Sequence, residues 1–167
     1  MENFPERFGL DTFYQLFING WVVDGRAGGL IIGRTHETGH IIMITPNGDP
    51  AMFETTGLVA GGEYIMSTQA SETHFQRLQE INADQSPCDE EISVSLESRI
   101  INTRAEPHDK MLIVLNQFII NAEATKRHFD ELEHINSLCP TSNGILFTEE
   151  QARFIASINI DDLPRPS

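Results

Sequence analysis

HFQRLQEIN at 74–82 returns as HFDELEHIN at 128–136, a fixed offset of 54 residues. The likeness runs upstream of both copies. Leu58, Ile65 and Ala70 fall on Leu112, Ile119 and Ala124, and over the 25 ungapped positions from 58 to 82 there are 8 identities. Tyr64 with Phe118, Val59 with Ile113 and Ser71 with Thr125 are soft exchanges. A period near fifty residues signals one supersecondary unit used twice, so the repeat decides the fold before any single motif does.

Within each copy, Phe75, Leu78 and Ile81, or Phe129, Leu132 and Ile135, form one apolar stripe at helical spacing. The first helix is expected over about 69–82, capped by Thr68 or Ser71, and the second over about 122–137. Upstream of the first helix, GGLIIGR (28–34) and HIIMIT (40–45) read as a β-hairpin around a Gly-bearing bend. AMFETTGLV and EYIMS read as a second strand pair around Gly61-Gly62. In the second copy DKMLIVL and FIIN flank Asn116-Gln117. Residues 109–137 lack Gly and Pro, so one continuous helix competes with strand–turn–strand–helix there; the repeat and the β-branched density favour the strands. Residues 11–23 read as a strand, with a helical turn as the alternative for their first half. Thr148-Glu149-Glu150-Gln151 is a capping box ahead of a short helix at 149–158.

The expected fold is therefore α+β. It has two ββα-like repeats with short antiparallel hairpins and amphipathic helices, plus a short C-terminal helix. The first unit with its N-terminal strands covers 1–83, a polar linker 84–91, the second unit 92–140, and the terminal helix and tail 141–167.

The bulk properties narrow the function. The 167 residues suffice for one domain, or two small halves of one, and 40% hydrophobic residues with 22% charged make a core feasible. A net charge of −14 opposes binding to nucleic acid or to an anionic membrane and is compatible with a basic protein partner. No apolar run is long enough to span a bilayer, and the first ten residues do not form a secretory signal, so a cytoplasmic setting is expected. Cys88 and Cys139, each just beyond a repeated helix, fit a reducing compartment, and a bond between them is the lesser reading.

One motif tempts toward catalysis. His36-Glu37-Thr38-Gly39-His40 satisfies HExxH, whose chemistry needs both histidines on one helical face around a zinc. The glycines at 28, 29, 33 and 39 and Pro46 oppose a helix there, so His36 and His40 are read as part of an exposed bend, not a metal site. His74 and His128 are repeat-equivalent and could share a metal, or be plain helix-flank residues. No nucleophile triad or phosphate loop is legible, and neither a catalytic residue nor a cofactor is expected.

FIINAEATKRHFDELEHIN (118–136) resembles a segment common near the C-terminal ends of phage tail tape measure proteins. EYIMSTQASETHFQRLQEIN (63–82) resembles the same segment, with Gly62-Glu63 keeping that family's Gly-Glu turn, and GGLIIGRTHETGHI is similar to its glycine-punctuated upstream hairpin. The likeness covers about 28–82 and 109–136. Tape measure proteins are far longer, and a wholly helical chain of this size would span only about 250 Å. The resemblance therefore implies a phage virion or tail-assembly context without a measuring role.

Three functions are in play. The first is a non-enzymatic virion protein that docks other virion proteins, assembles as a homo-oligomer in the host bacterial cytoplasm, and binds neither nucleic acid nor membrane. Its candidate contact residues are Trp21, Arg34, Glu37, Gly62, Glu63 and Phe154. The second is a small acidic regulator or inhibitor of a basic protein, of the immunity or anti-host-defence kind. The third and weakest is an HExxH zinc hydrolase.

Overall fold

The structure is a computed structural model, and it describes residues 7–35, 37–47, 52–88, 91–103, 109–114 and 116–138. Among the described residues thirteen elements follow in chain order. They are β1 (Arg7–Gly9), α1 (Leu10–Ile18), β2 (Val22–Asp24), β3 (Gly29–Ile32), β4 (Ile41–Asn47), β5 (Met52–Val59), β6 (Tyr64–Ile65), α2 (Thr68–Thr73), α3 (Phe75–Ala83), β7 (Ile100–Asn102), β8 (Lys110–Leu112), β9 (Ile119–Ile120) and α4 (Ala122–Leu138). The α+β class is as the sequence reading has it, and 109–137 is strand, turn, strand and helix rather than one helix.

Two sheets divide the strands. The first has the order β1-β5-β4-β8-β2 and the second β7-β3-β6-β9. Each sheet mixes the two halves of the chain. In the first, β8 lies between β4 and β2 and is parallel to both. In the second, β7 runs parallel to β3, and β6 pairs antiparallel with β9. Neither half has a sheet of its own, so the halves close one another's cores.

The strand-pairing expectations need correction. β3 and β4 do not form a hairpin, because they belong to different sheets; the same holds for β5 and β6. The true hairpin is β4 with β5, with Ile41 opposite Val59 and Asn47 opposite Met52. The reason lies where the chain changes sheet. Gly61 donates its amide to Arg34 O at 2.6 Å, and a Cβ on Gly61 would lie 2.5 Å from the Gly33 carbonyl oxygen. Two backbones cross there too closely for any side chain, and each crossing segment leaves its sheet for the other. Residues 10–18 are helical rather than extended. Phe13, Leu16 and Phe17 are all buried, at the spacing of one helical stripe.

Three apolar clusters fill the interior. One sets α1 against the first sheet through Phe13, Phe17, Phe53 and Leu112, with Phe13 stacked on Phe53 at 4.1 Å between centroids. A second, including Ile31, Ile41, Ile65 and Met111, lies where the sheets meet. The third joins the repeated helices to the second sheet through Leu78, Ile81, Leu132 and Ile135 on Tyr64, Met66 and Ile120.

The third cluster is built on a local two-fold relation between the copies. Ile65 pairs with Ile119, its own repeat equivalent. Tyr64 pairs with Ile120, and the mate of that pair is present as the Met66 amide bonded to Phe118 O at 2.9 Å. Further bonds repeat about the same axis. The Glu63 carboxylate accepts from Ala60 N, and the Gln117 side-chain oxygen accepts from Val114 N. Ser67 Oγ caps Ala70 N, and Asn121 Oδ1 caps Ala124 N. Ser67 N donates to Asn136 Oδ1, and Asn121 N donates to Asn82 Oδ1. On the axis, Arg77 makes a two-pronged salt bridge to Glu131, again its own equivalent. Even the backbone bend recurs, at His74 (φ −117°, ψ 25°) and His128 (φ −123°, ψ 21°).

Gly62 becomes Asn116 in the second copy without loss of geometry. Gly62 has φ +93° and Asn116 +67°, and asparagine is among the few residues that accept left-handed backbone.

Candidate functional site: an open sheet edge beside Phe75 and Phe118

The two-fold relation is broken on one side, and the break exposes a surface. β6 is an interior strand, with β3 on its outer side and Gly29 opposite Ile65. β9 is its equivalent, yet it is the last strand of the sheet among the described residues. The positions equivalent to β3, residues 83–86, are the end of α3 and the turn after it. No described strand lies on the outer side of β9.

The ladder fixes which groups this leaves open. Along an antiparallel pair, residues alternate between bonding the partner and pointing away from it. Because Met66 and Phe118 bond, Ile65 and Ile119 both point outward. Ile65 turns its amide and carbonyl to Gly29 of β3, and the Glu63 carbonyl accepts from Ile31 N at 2.9 Å. The equivalent groups are the Ile119 amide and carbonyl and the Gln117 carbonyl, and these face the open edge. Beyond them, Asn82 takes the Asn121 amide at 2.8 Å, so the free stretch is short and closed at one end.

Side chains show the same asymmetry. Phe129 packs edge-on against Tyr64, and Phe75 packs edge-on against Phe118; these are two-fold mates, with centroid distances of 6.1 and 5.7 Å. On the covered side Leu30, Ile92 and Ile100 share that cluster, and Phe129 is only 6% exposed. Phe75 is 51% exposed. Phe75 and Phe118, with Ser71, Glu72, Asn116 and Gln117, line a groove of about 480 Å³ beside residues 116–118, just ahead of β9. Its floor is anchored, since Ser71 Oγ accepts from Phe118 N at 2.7 Å and the Gln117 amide donates to Gly25, Arg26 and Met66 carbonyls. An anchored floor, an aromatic wall and open backbone groups are what strand addition requires.

The residues singled out from sequence distribute differently. Arg34, Gly62 and Glu63 meet at the sheet crossing, where Arg34 O accepts from Gly61 N and Gly62 N donates to Ile31 O. Glu63 is buried in its own turn, so it braces the fold rather than offering a surface. The Arg34 guanidinium donates to Thr38 O and holds the bend at 35–38, with Glu37 exposed on it. Trp21 is half-buried against the α1 cluster. Phe154, Cys139 and the helix expected at 149–158 lie outside the described residues. Neither Ser71, Phe75, Asn116 nor Phe118 was among the sequence candidates. Their signal lay in the repeat itself, as equivalent residues whose covering strand occurs only once.

His40 is exposed just before β4, Glu37 and Thr38 form a turn, and His36 lies outside the described residues. The bend is thus present, but it connects two sheets and is not a hairpin tip. Among the described residues no three histidine, cysteine or carboxylate groups come together as a metal site would require. His128 is engaged locally, its Nε2 lying 2.7 Å from Asp84 Oδ2. Bonds from the Ser86 hydroxyl and amide, then His128, hold the Asp84 carboxyl well below the usual carboxylate range. The Arg77 guanidinium likewise lowers Glu131. Together they pin the end of α3 to α4. At the position equivalent to Asp84 stands Leu138, so His74 has no matching carboxylate there.

No helix among the described residues is long and apolar enough to cross a membrane. Searches of protein-family models, curated proteins and solved structures returned no match to this chain.

Proposed function

We propose that this is a non-enzymatic structural protein of a tailed-phage or prophage particle, which acts by docking an extended segment of another virion protein onto the β9 edge. One observation carries the docking half: β9 has no described strand on its outer side, and a groove walled by Phe75, Gln117 and Phe118 lies just ahead of it. The virion half rests on the tape-measure-like segments at 63–82 and 118–136. Among the described residues that line it, the groove has one carboxylate, Glu72, and no cation, which suits an apolar, extended peptide better than a nucleic acid.

Mass spectrometry of purified particles from the encoding host tests the assignment. The chain is expected as a stoichiometric component that withstands salt washing. Particles that lack it overturn the virion reading.

A further inference from the structure

The covered side of the two-fold relation shows what charge the groove asks of its occupant. Phe75 and Phe118 of the groove correspond to Phe129 and Tyr64 on the covered side, and Glu72 corresponds to Lys126. On the covered side Leu30, Ile92 and Ile100 pack in the cluster that holds the aromatic pair. The residue before Ile92 is an acid, and Glu91, Ile92, Lys126 and Phe129 line one cavity of about 370 Å³. An apolar side chain for the aromatic pair and a carboxylate for the lysine thus arrive together.

On the open side the sign is reversed. Glu72 is exposed, stands three residues before Phe75, and carries the only charge among the described lining residues. A carboxylate beside two aromatic rings is matched by a cation, whose head pairs with the carboxylate while its stem and charge lie against the rings.

The chain's own cations are poorly placed to supply it. Among the described residues Arg7, Arg26, Arg77 and Arg127 each face a carboxylate of the chain itself, and Lys110 is buried. A net charge of −14 also opposes a second copy as the occupant. Both observations favour a segment of a different, basic protein.

We infer that the segment docked at the β9 edge carries a lysine or arginine for Glu72, two residues from an aliphatic side chain seated on Phe75 and Phe118. Alternate residues of a strand share a face and lie about 7 Å apart. That is close to the spacing of about 5–6 Å between side chains three positions apart on a helical surface. The inference rests on the docking reading of this edge and adds the chemistry of the partner.

The experiment titrates the full chain with capped probe peptides and follows the Phe118 and Ile119 amides by NMR. The probes are Thr-Lys-Thr-Ile-Thr-Lys-Thr and the same peptide with glutamate for both lysines, so strand direction does not matter. The lysine peptide is expected to bind about tenfold more tightly than the glutamate peptide. Glu72→Gln should cut that ratio to about threefold, and Glu72→Lys, which copies the natural Lys126, should bring it to about one. A tenfold preference that survives both substitutions is general attraction to an acidic chain and overturns the inference. Equal affinities for the natural chain overturn it while leaving docking intact. If neither peptide shifts these amides, the docking reading falls with it. If the amides shift with protein concentration alone, a second copy is the occupant and the basic segment is wrong.

Discussion

Replacing Asn136 and Asn82 separately by alanine should give unequal losses, although the two residues are repeat equivalents with equivalent roles. Each accepts the first free amide of the other copy's helix: Asn136 from Ser67, Asn82 from Asn121. The surroundings differ. Asn136 is 1% exposed and Ser67 is equally buried, whereas Asn82 is half-buried and Asn121 is exposed. In N136A the Ser67 amide is left buried without this partner and Ala27 O loses its donor. An unsatisfied buried group costs about 1–3 kcal/mol, and the half-buried Ala27 carbonyl is partly rehydrated, so the total is about 2–4 kcal/mol. In N82A water reaches the Asn121 amide, and only a net hydrogen bond of about 1 kcal/mol is lost. Urea denaturation at an unchanged m-value reads the difference directly. For a chain of this size each kcal/mol also lowers Tm by about 2–4 °C. Equal losses, or a loss below about 1 kcal/mol for N136A, would refute the assignment of these asparagines as reciprocal caps in unequal surroundings.

Four further outcomes follow from the same geometry. Phe129→Ala should cost about 3–5 kcal/mol in urea denaturation and Phe75→Ala under about 1, because only the first empties a closed core site. Asn116→Gly should be close to neutral, while Asn116→Val should cost about 1–2 kcal/mol for its left-handed backbone, read by thermal denaturation. Among the described residues the fully buried Tyr64 hydroxyl has no partner at good hydrogen-bond geometry; Glu133 and Asn136 interact with it only loosely, and Glu133 bonds the Arg99 amide. Tyr64→Phe, which copies the natural Phe118, should therefore be neutral or stabilising by about 1 kcal/mol. Asp84 and Glu131 have folded pKa values below their unfolded ones, so their contribution is full above the unfolded carboxylate range and is lost as pH falls through the folded values. Stability measured between about pH 6 and pH 2 should fall on acidification, and Asp84→Asn should flatten that fall.

Much of the helical layer is legible in the amino-acid sequence alone, because the stripe Phe-x-x-Leu-x-x-Ile at 75–81 and 129–135 marks one core-facing side of each helix, although only Phe129 of the two phenylalanines is buried. The preserved Asn at 82 and 136 is a signal as well, since a polar residue kept at the end of an apolar stripe asks for a bonding partner. Strand partners are not legible. Alternation in 29–32, 41–47 and 52–59 shows that each segment is extended, but not which sheet receives it. That choice is made by the Gly33–Gly61 crossing, a contact between residues 28 positions apart (61 − 33). The first helix reads as a strand because its aromatic and branched residues have high strand propensity, although burial at 13, 16 and 17 follows a helical period. The open edge at β9 cannot be seen from one copy alone; it appears only when the covering strand of the other copy is located.

Docking at the β9 edge is tested most directly by a photo-crosslinking residue placed at position 75, in the groove wall, with the adducts sequenced from the isolated chain and from assembled particles. In the isolated chain no adduct to another protein should form, and in particles the adduct should fall on another virion protein. Particles without the chain, or an adduct unchanged between the two states, would contradict docking at this edge.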